Sequence, residues 1–308
     1  MNDKELKKFY RRQFAPVSWW LLGYHVLMIL AVNGAVIIQS LISNPTQAEM
    51  EGNAWGYIAS CIIGMLILVL WKGVPFWKDK VWGRGRAMEW GDFTCLLILT
   101  LGCQLAASIG GILLEILLNA INLSAEASIQ SATAQSDTFS MFLYVGVFAP
   151  IFEELIFRGF AMQCLKPFGK KFAILGSAIL FGLFHGNLFQ SPYAILVGLV
   201  LGYAAMEYSI GWAMLLHMIN NLVLDDMIQR LDAMLGGGIV VGLLGLAIIC
   251  CGIGSIVMLC VRKQEIRNYE FWNRIDGKCV RALLFNAGSL VLMALLALNM
   301  ITLILPAN

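Results

Sequence analysis

Nine continuous apolar runs constrain this chain more than any other feature. They lie at about 17–42, 57–71, 93–119, 139–165, 172–189, 193–207, 211–228, 238–261 and 281–305. A hydrocarbon core of about 30 Å takes roughly 17–25 apolar residues as a helix. The runs lack the period-2 alternation of lipid-facing strands, so helices fit and a barrel does not. Composition points the same way. Hydrophobic residues make up 59% of the chain and charged residues 13%, against about 45–50% and 25% in soluble domains. Such a chain has too little polar surface for a water-soluble globule and is too apolar for disorder. Its 30 Gly show no three-residue period and its 8 Cys are dilute, which excludes collagenous and disulfide-scaffold folds. The expected fold is an all-α polytopic transmembrane helix bundle of about 8–9 spans, the second and sixth runs being short.

Positive charge orients the bundle. Except for Arg158 and Arg230, every Lys and Arg lies in the N-terminal segment, in the loops near 72–86 and 166–171, or between Arg262 and Arg281. If nine spans alternate, all of these fall on one side, which the positive-inside rule makes cytoplasmic. The N-terminus is then expected in the cytoplasm and the C-terminus outside. Localisation is expected as an integral, multi-pass membrane protein, in the plasma membrane if the source is bacterial. The first run is longer than a signal-peptide core and lacks a small-x-small cleavage site. Trp19, Trp20 and Tyr24 are expected as an interfacial belt. No cysteine falls in an outer loop, so no disulfide framework is expected, and no CxxC pair suggests a thiolate site. Segment 122–138 is polar and is expected as an external loop that could hold an amphipathic helix. Three regions result: N-terminal spans 1–138, a central core 139–228 and C-terminal spans 229–308.

An ionisable group inside a span is costly, about 2.5–3.5 kcal/mol at a helix centre even on a mild scale, and so marks a candidate site. Glu153, Glu154 and Arg158 sit mid-span in Pro150-Ile-Phe-Glu-Glu-Leu-Ile-Phe-Arg158. Glu154 and Arg158 stand at i and i+4 in the favourable order for an ion pair. Glu153 points about 100° away and is free to face a cavity as a general base. His185 follows in Phe181-Gly-Leu-Phe-His185, and His217 and Asn221 share one helix face at i and i+4. Two neutral donors on that face suit a developing oxyanion. Counting from the basic 166–171 loop at 1.5 Å per residue places Glu153 and His185 level, roughly 20 Å above the cytoplasmic edge. Asn220 is the alternative amide but lies off the i+4 position. His25 is expected to be structural, and Glu115 structural or gating.

The motifs Glu153-Glu154-x-x-x-Arg158, Phe181-x-x-x-His185 and His217-x-x-x-Asn221, in this order on three spans, resemble those of the CPBP family, the CAAX proteases and bacteriocin-processing enzymes also called Abi. The resemblance covers about residues 139–228, and no position departs from the three motifs. It implies a polytopic intramembrane protease that hydrolyses a peptide bond. Glu153 would activate water with the help of His185, His217 and Asn221 would stabilise the oxyanion, and Glu154 and Arg158 would orient the site. The family is often labelled metalloprotease, and Glu153, His185 and His217 are the candidate Zn²⁺ ligands. With no His-Glu-x-x-His present, the metal-independent glutamate mechanism, which requires no cofactor, is preferred.

The expected partners are the lipid bilayer and a membrane-associated peptide or protein substrate, such as a bacteriocin or signal-peptide precursor or a CAAX-type C-terminus. Nucleic acid is not expected. Two other functions remain open from the residues: a non-catalytic membrane scaffold or immunity protein, and a proton-coupled transporter using Glu153, Glu154, His185 and His217 as a relay. The transporter would call for broken helices at matching positions of two repeats, and none is visible.

Overall fold

The computed structural model describes residues 2–46, 49–50, 52–83, 85–126, 128, 138–224, 235, 238–272 and 275–306. Among the described residues, each apolar run contains at least one helix. The first, α1 (Asp3–Ile42), begins well before its apolar run. A capping box sets that start: Asn2 Oδ1 accepts from the Glu5 amide and Glu5 Oε2 accepts from the Asn2 amide, both at 2.9 Å. Helices α2 (Trp55–Lys72) and α3 (Trp90–Asn119) follow, with a π-helical turn Phe76–Val81 between them. Next come α4 (Phe139–Phe168), α5 (Lys170–Phe184), α6 (Gln190–Glu207) and α7 (Ile210–Leu224). The chain continues through α8 (Ile239–Val261), the amphipathic α9 (Lys263–Trp272), α10 (Gly277–Leu284) and α11 (Ala287–Thr302). One two-residue antiparallel pair ties the loop after α3 to the residues after α11, with Leu123 opposite Pro306.

The protein is thus an all-α polytopic bundle, but not every span stands alone. Among the described residues five helices are long and apolar enough to cross a membrane: α1, α2, α3, α4 and α8. A sixth is counted if α10 and α11, bent by 63°, form one broken span. Of the other expected spans, α5 has 15 residues, α6 has 18 with polar residues at both ends, and α7 is described only as far as Leu224, short of the end of its apolar run. Neighbouring helices cover much of α5 and α6, with nine of 15 and eight of 18 residues buried.

A large core joins Phe14, Val17 and Leu21 of α1 to Phe157, Phe160 and Leu165 of α4, Phe172 of α5 and Leu292 and Leu296 of α11. A smaller one joins Leu96 of α3 to Val197, Leu201 and Ala204 of α6 and Leu216 of α7. Small residues let α5 and α6 approach closely, as is usual where apolar surface alone gives no preference between lipid and protein. A Cβ on Gly182 would lie 2.6 Å from the Ser191 carbonyl oxygen, and one on Gly202 3.1 Å from Ile174.

One expectation changes. Only Trp19 of the proposed interfacial belt faces outward, at 50% exposure. Trp20 stacks on Tyr24 at 5.3 Å and meets Phe160 edge-on, while Tyr24 is 7% exposed. The cause is the helical register, which turns these two rings into the bundle. The polar stretch 129–137, the end of the seventh run at 225–228, and Arg84, Arg230 and Arg274 lie outside the described residues.

Candidate active site

Helix α4 carries the paired glutamates on an irregular backbone. Its α-helical turn Ala149–Glu154 lies between two π-helical segments, Tyr144–Phe148 and Leu155–Ala161. A π turn inserts a residue and shifts the carbonyls out of the i to i+4 ladder. Such turns are frequent at functional sites.

Within this helix, Arg158 Nη1 donates to Glu154 Oε1 at 2.7 Å, and both side chains are fully buried. A buried ion pair is costly unless its remaining polar atoms are met, and here they are met only in part, since Arg158 Nε and Glu154 Oε2 are buried with no hydrogen-bond partner among the described residues. Arg158 Nη2 donates to the Gly198 carbonyl of α6 at 3.1 Å. The guanidinium lies over the Phe181 ring of α5, 4.4 Å from its centroid. Gly198 is what makes room, since a Cβ there would stand 3.1 Å from Arg158 Nη2 and 3.2 Å from Ala178 Cα.

His217 of α7 sits between the two carboxylates. Its Nδ1 is 2.9 Å from Glu154 Oε1, and its Nε2 is 3.7 Å from Glu153 Oε2. Glu154 therefore holds both Arg158 and His217 through one oxygen. Glu153, with 28% of its side chain exposed, is the carboxylate open to a reactant. A carboxylate accepts, so Nδ1 of His217 donates to Glu154. Nε2 can then donate to an oxyanion only in the imidazolium form. This revises the expected neutral donor.

His185 lies at the end of α5, where Gly186 turns the chain with φ 58°. Its Nδ1 pairs with the Phe181 carbonyl oxygen at 2.9 Å. A carbonyl accepts, so Nδ1 carries the proton and Nε2 of the neutral ring is left as an acceptor. Phe181 organises both imidazoles: it meets His185 edge-on at 4.8 Å and His217 edge-on at 5.6 Å. The i and i+4 spacing of Phe181 and His185 is visible in the sequence, but this spacer role is not. Asn221 donates from Nδ2 to the Val145 carbonyl of the first π segment at 2.9 Å.

Glu153, Glu154, Arg158, His185, His217 and Asn221 are thus linked through direct contacts or through the shared Phe181 and α4. Glu153 faces the His217 ring rather than standing without a partner. Among the described residues, no three His, Cys, Asp or Glu side chains form a group that could hold a metal ion. Glu115 accepts from Ser124 Oγ at 2.9 Å and from the Ala125 amide at 3.1 Å, so it caps the loop after its own helix. His25 packs edge-on against Phe184, next to His185 in the chain.

Residues 135–223 match the family described as type II CAAX prenyl endopeptidase Rce1-like. The matched segment contains all three motifs, in keeping with the CPBP resemblance. No curated protein and no solved structure matches the chain.

Proposed function

With residues 135–223 a match to Rce1-like type II CAAX prenyl endopeptidases, we propose that this chain is an intramembrane endopeptidase and that Glu153 activates the attacking water. One observation carries the reading. Two adjacent carboxylates are given different tasks, Glu154 fully buried and spent on Arg158 and His217, Glu153 partly exposed and facing the His217 ring.

In the proposed step, Glu153 takes a proton from water as the oxygen attacks the scissile carbonyl. His185 presents Nε2 as a further acceptor for that water. The developing oxyanion is met by His217 as imidazolium and by the second Nδ2 hydrogen of Asn221. Glu153 then returns its proton to the leaving amine. Arg158 and Glu154 hold the His217 ring in register. No metal takes part in any of these steps.

The substrate is proposed to be a membrane-associated peptide or protein, either a lipid-modified CAAX-type C-terminus or an apolar precursor peptide. The site is built from helices of an apolar bundle, so a chain that partitions into the bilayer reaches it most readily. Cleavage of a membrane-peptide library by purified protein tests this. The wild type is expected to cleave and Glu153→Ala to lose cleavage. Undiminished cleavage by Glu153→Ala overturns the mechanism, and cleavage abolished by chelators and restored by Zn²⁺ overturns its metal-free form. Flux across proteoliposomes without cleavage supports the transporter instead.

A further inference from the structure

We propose that Tyr193 is a positioning residue which, through Asn220, locks the side-chain amide of Asn221 with its nitrogen turned toward the reaction. The inference rests on the proposed function and concerns the orientation of one group within it.

An Asn amide presents a donor on one side and an acceptor on the other. Only the donor can stabilise an oxyanion; the flipped amide would set an oxygen against it. The orientation of Asn221 is therefore as consequential as its presence, and an isolated side chain does not choose it. Here a chain of partners does. The phenol of Tyr193, on α6, donates to Asn220 Oδ1 at 2.7 Å. A phenol can donate or accept, and here it donates, which meets the Asn220 oxygen and leaves the Asn220 nitrogen for its neighbour. Asn220 Nδ2 in turn donates to Asn221 Oδ1 at 3.4 Å. At the far end, Asn221 Nδ2 donates to the Val145 carbonyl at 2.9 Å, and a carbonyl can only accept.

The Val145 carbonyl sets the polarity, and the Tyr193 phenol holds it by satisfying the Asn220 oxygen that this polarity turns outward. The oxygen of Asn221 is engaged, one hydrogen of its nitrogen is engaged, and one hydrogen is left for a reactant. Asn220 is 3% exposed, so water does not compete for the bond to Tyr193. The relay also spans three helices. Val145 belongs to the π segment of α4, two turns before Glu153, so the same bonds set the oxyanion donor against the helix that carries the base.

Tyr193→Phe removes the first link and keeps the ring. In purified protein cleaving a membrane peptide, it is expected to lower kcat about tenfold with KM unchanged, a fraction of the roughly 10²–10³ lost with a whole oxyanion donor. In an Asn221→Ala background the same change is expected to cost nothing further, because residues acting as one unit are not additive. The side-chain amide resonance of Asn221, assigned by its loss in Asn221→Ala, is expected to move in Tyr193→Phe. An equal loss in both backgrounds, no loss in the wild-type background, or an unmoved amide resonance overturns the inference. If the wild type cleaves no peptide, or Glu153→Gln cleaves as well as the wild type, the proposed function has failed instead. The amide resonance then decides the relay alone.

Discussion

At the level of single residues, the membrane makes polar side chains legible. Glu153, Glu154 and Arg158 stand out because burial in lipid penalises them, and the i and i+4 spacing gives the Glu154–Arg158 pair directly. Their pairing also predicts stability. Arg158→Ala leaves the Glu154 carboxylate buried beside His217 alone, and is expected to cost about 3–5 kcal/mol in thermal unfolding in detergent. Replacing both partners, as Glu154→Gln with Arg158→Met, is expected to cost less than Arg158→Ala, because no unpaired charge remains. Equal losses would mean that the pair contributes by shape alone. The sequence hides residues whose role lies in geometry. Phe181 reads as one more apolar position, yet it touches Arg158, His185 and His217. Tyr193 and Asn220 meet across 27 positions of chain, a separation that no local pattern encodes.

Helices show a similar division. Apolar runs locate most of them, since hydropathy reports where backbone can lie in lipid, but not the amphipathic α9. They do not report how far a helix is enclosed by others, as α5 and α6 are, with nine of 15 and eight of 18 residues buried. The two π segments of α4 are also invisible, because no residue type dictates them. Close approach at Gly198 can be tested. Gly198→Ala would push a Cβ against Arg158 and the Ala178 backbone, and is expected to cost about 1–3 kcal/mol by overpacking, with slower cleavage. Gly242→Ala on α8, where nothing lies within 4 Å, is expected to stay within about 0.5 kcal/mol or to stabilise slightly. Thermal unfolding of the two variants side by side checks both, and similar values would remove the packing argument.

Over the whole molecule, the site lies in the central helices and the outer helices present apolar surface. Helix α8 packs on α3 through small residues, with Gly102 against Ser255 and Gly252 against Leu105, and is otherwise exposed. The clustering of Lys and Arg predicts a cytoplasmic N-terminus and an external loop at 43–54. Reporters fused at the N-terminus and inserted in that loop are expected to read opposite sides of the membrane. Reversed signals would invert the orientation without touching the site.

The central claim is that Glu153 activates water to cut a peptide bond within the membrane. Its most direct test is proteoliposome cleavage of a membrane-anchored peptide in H₂¹⁸O, comparing wild type with Glu153→Gln by mass spectrometry. The account predicts one ¹⁸O in the new C-terminal carboxylate of the wild-type product, and a rate lower by about 10²–10⁴ for Glu153→Gln. Labelled product formed at the wild-type rate by Glu153→Gln would contradict it.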